Sequence, residues 1–278
     1  MDSIELDEAI TVIDSCLSQI KWRLKSSSKH RLQLDIIALI TRMRPVIMID
    51  YGGIMPQLQH QLSSLLQLAQ NESPIFQHLR VMVIQEMIYL IHVTEITEFL
   101  DSSLDSKLVF ADLEHESPKL ITEIEKSQLG MQLVSIQKLF STFFSSYGEA
   151  KLVDDANSSA HCSESSSTEC IDLSYCMENT DILVPTLNGW LLGYPVVYLF
   201  GKDHIADAVY NLSTKYLHIF QVFVCSFSVP YDLSTRGSKE QWAEAFLAQM
   251  QAKWERCPNV WNSLKMEVSE CNPQAIVL

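Results

Sequence analysis

Glycine is scarce in this sequence, with eight residues in 278. None falls in a G-x-G-x-x-G or a G-x-x-x-x-G-K-S/T pattern, which removes the usual dinucleotide and nucleoside-triphosphate cradles. No G-x-S-x-G elbow presents a nucleophilic serine. A basic excess is missing too. The formal net charge of −14 excludes the broad electropositive surface that nucleic acid or an anionic membrane rewards. The densest basic run is Lys21, Arg23, Lys25, Lys29 and Arg31, and it alternates with helix-forming apolar residues.

Long apolar runs are also lacking. The longest, around Trp190 to Phe200, is about half the roughly 20 residues of a membrane span, and Pro195 interrupts it. The opening MDSIELDE is acidic where a secretory signal is basic and then apolar. Seven cysteines, at 16, 162, 170, 176, 225, 257 and 271, form an odd and scattered set that reads as reduced thiols. The expected compartment is the cytoplasm, with the nucleus open as a second.

What the chain does contain is ample apolar material, 47% against 19% charged residues, as in a globular protein. Ile4, Leu6, Ile10, Ile13, Leu17, Ile20 and Leu24 recur at helical spacing and predict one helix. A second is predicted from about Lys29 to Arg44, where Pro45 ends it. Val46–Ile49 is a continuous apolar run, the pattern of a strand buried on both faces, and an amphipathic helix follows over Leu58–Leu68. Leu79–Ile84 and Ile88–His92 read as a hairpin, or alternatively as one long helix, since Gln85-Glu86-Met87 lacks the usual turn glycine. Leu108–Asp112 reads as a strand and Pro118 to about Tyr147 as a helix.

Residues 149–181 hold eight Asp or Glu against one Lys. Their central NSSAHCSESSSTEC has no aliphatic side chain larger than alanine, so a disordered insert is expected there. Beyond it come a helix over Ile182–Leu192, a strand over Tyr194–Phe200, a strand over Leu217–Phe227, a helix over Thr235–Arg256, and short strands at 265–268 and 275–278. The predicted class is α/β: one mixed sheet with helices on both faces and an N-terminal helical pair. Residues 1–148 and 182–278 are expected to form a single domain around the insert.

Two stretches invite a functional reading. In VIMIDYGG (Val46–Gly53), Asp50 follows an apolar run and precedes two glycines. At the carboxyl end of a parallel strand it would stand where open α/β sheets bind ligands, with Gly52 and Gly53 exposing backbone N–H groups to a phosphate. The alternative is that Asp50 caps a turn or helix and the glycines supply positive φ. Glu86 and Asp112 also follow predicted strands; the three carboxylates either cluster or are solvated turn residues. His161, Cys162, Cys170 and Cys176 lack zinc-ribbon or finger spacing. No catalytic residue, cofactor or metal is assigned. In the acidic tract, Ser163 and Ser166 are candidate phosphorylation sites, with Glu169 three residues beyond Ser166; a solvated spacer is the alternative.

The second stretch is GWLLGYPVVYLF (Gly189–Phe200). Together with SFSVP (Ser226–Pro230), PQAIVL (Pro273–Leu278) and VIMIDYGG, it resembles an uncharacterised eukaryotic family. That family's reference member is the product of human chromosome 1 open reading frame 74. The resemblance implies an intracellular α/β domain and carries no activity, substrate or cofactor with it. It draws attention to Asp50, Tyr51, Gly193, Tyr194 and Pro195 without assigning roles. The function expected is a non-catalytic module that binds another protein; the alternative is a small-molecule- or nucleotide-binding protein or hydrolase centred on Asp50.

Overall fold

The computed structural model describes residues 3–105, 108–157, 170–222, 225–261 and 263–276. Helices α1 (Ser3–Gln19) and α2 (Ser26–Ile40) lead to strand β1 (Val46–Met48), helix α3 (Gln57–Glu72) and strands β2 (Leu79–Ile84) and β3 (Met87–His92). Helix α4 (Val93–Asp105), strands β4 (Val109–Asp112) and β5 (Lys119–Ile121) and helix α5 (Gln128–Asn157) follow. The chain continues through β6 (Ile171–Asp172), α6 (Val184–Leu191), β7 (Val196–Leu199) and α7 (Ile205–Thr214). It ends with β8 (Leu217–Val222), β9 (Cys225–Pro230), α8 (Gln241–Trp254) and β10 (Met266–Cys271). The protein is α/β, with mixed sheets flanked by helices and an N-terminal helical pair.

Contacts gather into two units, Met1–Ser102 with Lys138–Glu178, and Ser103–Gln137 with Asn179–Leu278. In the first unit the strand order is β1-β3-β2-β6. The apolar stripe of α3, Leu58, Leu62, Leu65 and Leu66, is buried as its helical spacing requires. Strands β2 and β3 form a two-residue hairpin, with Ile84 opposite Met87. Gln85 takes the left-handed φ of +55° that a glycine would normally supply. Its N–H donates to Ser174 Oγ at 2.7 Å, which holds the turn.

The second unit contains two three-stranded sheets, β5-β4-β7 and β10-β8-β9. Phe220 and Phe227 stack across β8 and β9 at 5.2 Å. Trp242 of α8 meets Phe220 edge-on at 5.0 Å, and Phe246 meets Phe227 edge-on at 5.6 Å. Such aromatic pairs contribute roughly 0.5–1.5 kcal/mol each beyond their area burial.

Several expectations are corrected. Among the described residues, three sheets replace the single one. Strand β1 is an edge strand, antiparallel to β3, so the ligand crevice of parallel strands does not form at Asp50. The helix expected from Pro118 starts at Gln128, because Lys119–Ile121 pair with β4. The single strand expected over 217–227 is the hairpin β8–β9, with Val222 opposite Cys225. Residues 275–276 are not in a strand. The insert expected over 149–181 is corrected at both ends. Helix α5 continues to Asn157, and Ile171–Asp172 pair parallel with Met82–Val83. The buried Ile171, Leu173, Cys176 and Met177 supply apolar surface that the acidic composition masked. Residues 158–169, including Ser163 and Ser166, His161 and Cys162, lie outside the described residues.

Candidate functional site

The Asp50 region is built by α2 and the end of β1. Arg31 and Asp35, one helical turn apart on α2, stand 3.9 Å from each other and face the segment after β1. Backbone pairing persists through Ile49, whose N–H donates to Ile88 O at 2.9 Å, and then lapses. There Asp50 Oδ1 meets Arg31 Nη2 at 3.0 Å, with both side chains about half exposed (49% and 54%). Tyr51 meets both α2 side chains. Its hydroxyl donates to Asp35 Oδ2 at 2.6 Å, and the Arg31 guanidinium lies 4.3 Å from its ring centroid. Arg31 therefore neutralises two carboxylates and covers an aromatic face in one placement, a geometry suited to its planar fork.

Burial, followed by the adjacent Asp35 charge and the hydrogen bond to it, pushes the Tyr51 phenol well above its ordinary value. Tyr51 is thus a fixed hydrogen-bond donor at neutral pH. Burial likewise raises Asp35, against the lowering effects of Tyr51 and Arg31. An exposed pair such as Arg31–Asp50 contributes about 0–1 kcal/mol, so the net positions groups more than it stabilises the fold.

Gly52 has φ +87°, and a Cβ there would sit 2.9 Å from Leu24 Cδ2 and 3.1 Å from Trp22 Cζ2. The Trp22 indole N–H donates to Gly52 O at 2.9 Å. Gly52 therefore satisfies a tight packing requirement against Trp22. Gly53 makes only ordinary contacts, with Leu58 and Gln61. Pro56 stands at the N-cap of helix α3, which has no side-chain cap; this corrects the reading of Asp50 as its cap, since Asp50 is drawn to Arg31 instead.

The other carboxylates have local roles. Asp112 Oδ1 accepts the Glu114 N–H at 2.9 Å and Oδ2 lies 3.4 Å from His115 Nδ1. Glu86 is exposed in the β2–β3 turn. His204 Nδ1 bonds Asp207 Oδ2 at 2.9 Å, which raises the imidazole above its ordinary value. Among the described residues, no group of three or more His, Cys, Asp or Glu side chains could hold a metal ion. Cys225, expected within an apolar strand, opens β9 and is only partly buried.

Gly193, Tyr194 and Pro195 lie in the second unit. Gly193 has φ +65°; its N–H donates to Trp190 O at 2.8 Å and the Tyr194 N–H to Gly189 O at 2.9 Å. This pair of bonds is a Schellman stop, which requires a left-handed residue that glycine provides without strain. Pro195 then directs the chain into β7. The Tyr194 ring packs on Phe227 at 5.6 Å. The Tyr198 hydroxyl donates to Ser228 O at 2.8 Å, with Ser228 Oγ also at 2.8 Å. GYPVVYLF and SFSVP thus touch each other, and their residue types follow from that packing.

Sequence reasoning missed Arg31, Asp35 and Trp22 as neighbours of Asp50–Gly52. They lie 16 to 30 residues away, and no local pattern links them. It also missed three exposed tyrosines, Tyr210 in α7, Tyr216 just before β8 and Tyr231 just after β9. No described helix is long and apolar enough to cross a membrane. No curated protein and no solved structure matches the chain. A family model, the domain of unknown function DUF4504, matches residues 14–278, and the chain belongs to that family.

Proposed function

We propose that this is a non-catalytic protein that acts by binding another protein, through a tyrosine face on its second unit. The observation behind this reading is the set of Tyr210, Tyr216 and Tyr231, which are 55%, 52% and 38% exposed. The Tyr231 N–H donates to Tyr216 O at 2.9 Å, extending the β8–β9 register by one pair. Tyr210 stands on the last turn of α7, where its carbonyl accepts the Thr214 hydroxyl at 2.6 Å. The Tyr231 ring packs on His218 at 4.7 Å, and Ser234 O and Oγ hold the His218 ring at 2.9 and 3.0 Å.

Tyrosine supplies large, amphipathic contact area at low rotamer cost and is enriched at interface cores. Three exposed tyrosines, two of them paired across the β8–β9 register, match the composition of a hot-spot cluster. The test replaces all three by serine and checks that the melting temperature is retained. Affinity enrichment from cell extract is then quantified for both proteins. Proteins enriched by the native chain and lost with the variant support the reading; an identical set for both, or no specific enrichment by the native chain, refutes it.

A second reading, a small-molecule- or nucleotide-binding protein or hydrolase centred on Asp50, rests on the Arg31–Asp35–Asp50–Tyr51 net. Thermal-shift screening against nucleotides and metabolites tests it, because a specific ligand raises the melting temperature by mass action. A shift that Asp50→Asn abolishes would place this reading first; no shift removes it. For location we propose the cytoplasm, with or without the nucleus, in keeping with six described cysteines that are all thiols. The acidic balance supports binding partners other than nucleic acid.

A further inference from the structure

Residues 15–34 hold Lys21, Arg23, Lys25, Lys29 and Arg31 and no Asp or Glu, in a chain of net charge −14. The fold concentrates part of this charge around a hollow in the first unit. Between α1 and α2 the chain reverses at Lys21, whose φ is +55°, and the Leu24 N–H donates to Trp22 O at 3.0 Å. Trp22 is driven inward, 7% exposed, and pinned by its hydrogen bond to Gly52 O. Lys21 and Arg23, its immediate neighbours, are thereby turned out to solvent.

The resulting concavity has a volume of about 440 Å³ and is lined chiefly by Leu17, Trp22, Leu24, Lys21, Arg23 and Lys29. Its size falls in the range of small-molecule sites, roughly 300–1,000 Å³, and it pairs apolar walls with a few polar groups as such sites do. The cations differ in how they are engaged. Lys29 Nζ lies 3.0 Å from Asp14 Oδ1, which also accepts Gln33 Nε2 at 2.6 Å. Arg31 is held by Asp50 and Tyr51. Among the described residues, Lys21 and Arg23 have no ion-pair partner. Two unneutralised cations beside an apolar, aromatic hollow complement a molecule with a flat apolar body and a negative group.

We propose that this concavity binds a small organic anion, with Trp22 and Leu17 against its apolar body and Lys21 and Arg23 on its phosphate, sulfonate or carboxylate. The site lies in the first unit and the tyrosines in the second, and the proposal does not depend on the tyrosine reading. Single-sign charge beside low-dielectric walls raises the local concentration of an anion, and that attraction weakens as salt screens it.

The probe is 8-anilinonaphthalene-1-sulfonate, an aromatic sulfonate, titrated into the full-length protein. Binding is followed by its fluorescence and by the tryptophan indole N–H resonances. Saturation at one equivalent is expected, with movement of the Trp22 indole resonance, identified by its loss in Trp22→Phe. Lys21→Gln with Arg23→Gln should weaken binding at least tenfold without lowering the melting temperature, since both side chains are exposed. Raising salt from about 0.05 to about 0.5 M should weaken binding to the native protein far more than to the double variant. Inorganic sulfate, which lacks the apolar body, should compete at least tenfold less well than unlabelled naphthalene sulfonate. Equal affinity in the double variant, binding that never saturates, or sulfate competing as well as the naphthalene compound would each overturn the proposal. If Trp22→Phe does not fold, the resonance is identified instead as the one whose response the double variant abolishes, and the same outcomes decide.

Discussion

Mild acid should weaken this protein through a single histidine. His92 ends β3 and is 3% exposed. The backbone N–H of Glu95 donates to its Nδ1 at 3.3 Å, so that nitrogen is an acceptor and the ring is neutral in the fold. His78 stacks on it at 5.3 Å, and Arg42 lies close by, 3.5 Å from the buried Glu95 carboxylate. Burial first, then the charges of His78 and Arg42, lower the His92 pKa from 6.5 to about 4. Because the folded value lies below the unfolded one, the unfolded chain binds more protons between about pH 6.5 and pH 4. Stability is therefore present above that window and is lost as pH falls through it. With those two values, linkage gives a loss of roughly 1 kcal/mol at pH 5.5 and roughly 2–3 kcal/mol at pH 4.5, relative to neutral pH. Urea unfolding followed by tryptophan fluorescence, at pH 7.5, 5.5 and 4.5, measures this in the native protein and in His92→Gln. Glutamine retains an acceptor for the Glu95 N–H and does not titrate, so other acid-sensitive groups cancel in the difference. The native advantage over the variant should shrink by roughly 2–3 kcal/mol across the range. Parallel stability curves for the two proteins would refute the reasoning.

Four further outcomes are expected. A Cβ at Gly130 would overlap the Ile124 carbonyl, which is backbone and cannot swing aside; Gly130→Ala should cost roughly 3 kcal/mol in urea unfolding. Gln85 spends its left-handed φ of +55° in a two-residue hairpin turn, so Gln85→Gly should gain about 1 kcal/mol and raise the melting temperature by a few degrees. Limited proteolysis should cut within residues 158–168, and the two fragments should co-elute in native buffer. The β2–β6 and β4–β7 pairings each join residues on opposite sides of the cut; fragments that separate while folded would contradict the proposed single domain. We also propose that Ser163 and Ser166 are phosphorylated. Mass spectrometry of the protein from cells should find phosphate there, and deleting residues 157–168 should remove it while leaving the melting temperature nearly unchanged.

Local periodicity was enough to determine α1, α2, α3, β4 and β7. Each is written in side chains only a few positions apart. Periodicity alone did not separate the β2–β3 hairpin from one long helix; the pairing of Ile84 with Met87 decided it. The leucine stripe of α3 needs no partner to be read, and the glycine after Leu192 marks a helix stop because only a left-handed residue completes the Schellman bonds. The sequence by itself also marked Asp50–Gly53 as unusual, from a carboxylate set between an apolar run and two glycines. Tertiary structure decided the rest. Ile171–Asp172 became a strand because Met82 and Val83 lay open to it, about 90 residues earlier, and acidic neighbours hid that from composition. Lys119–Ile121 left a helical pattern for the edge of β4. The aromatic run from Leu217 folded back on itself, since strand propensity says that a segment is extended but not where it reverses. In the same way the residues around Asp50 announced themselves locally, while Arg31, Asp35 and Trp22, which give that segment its charge balance and its packing, were brought there by the docking of α2 and the preceding connector. Chain separation carries no trace of such proximity, because it arises only when buried apolar faces close on one another.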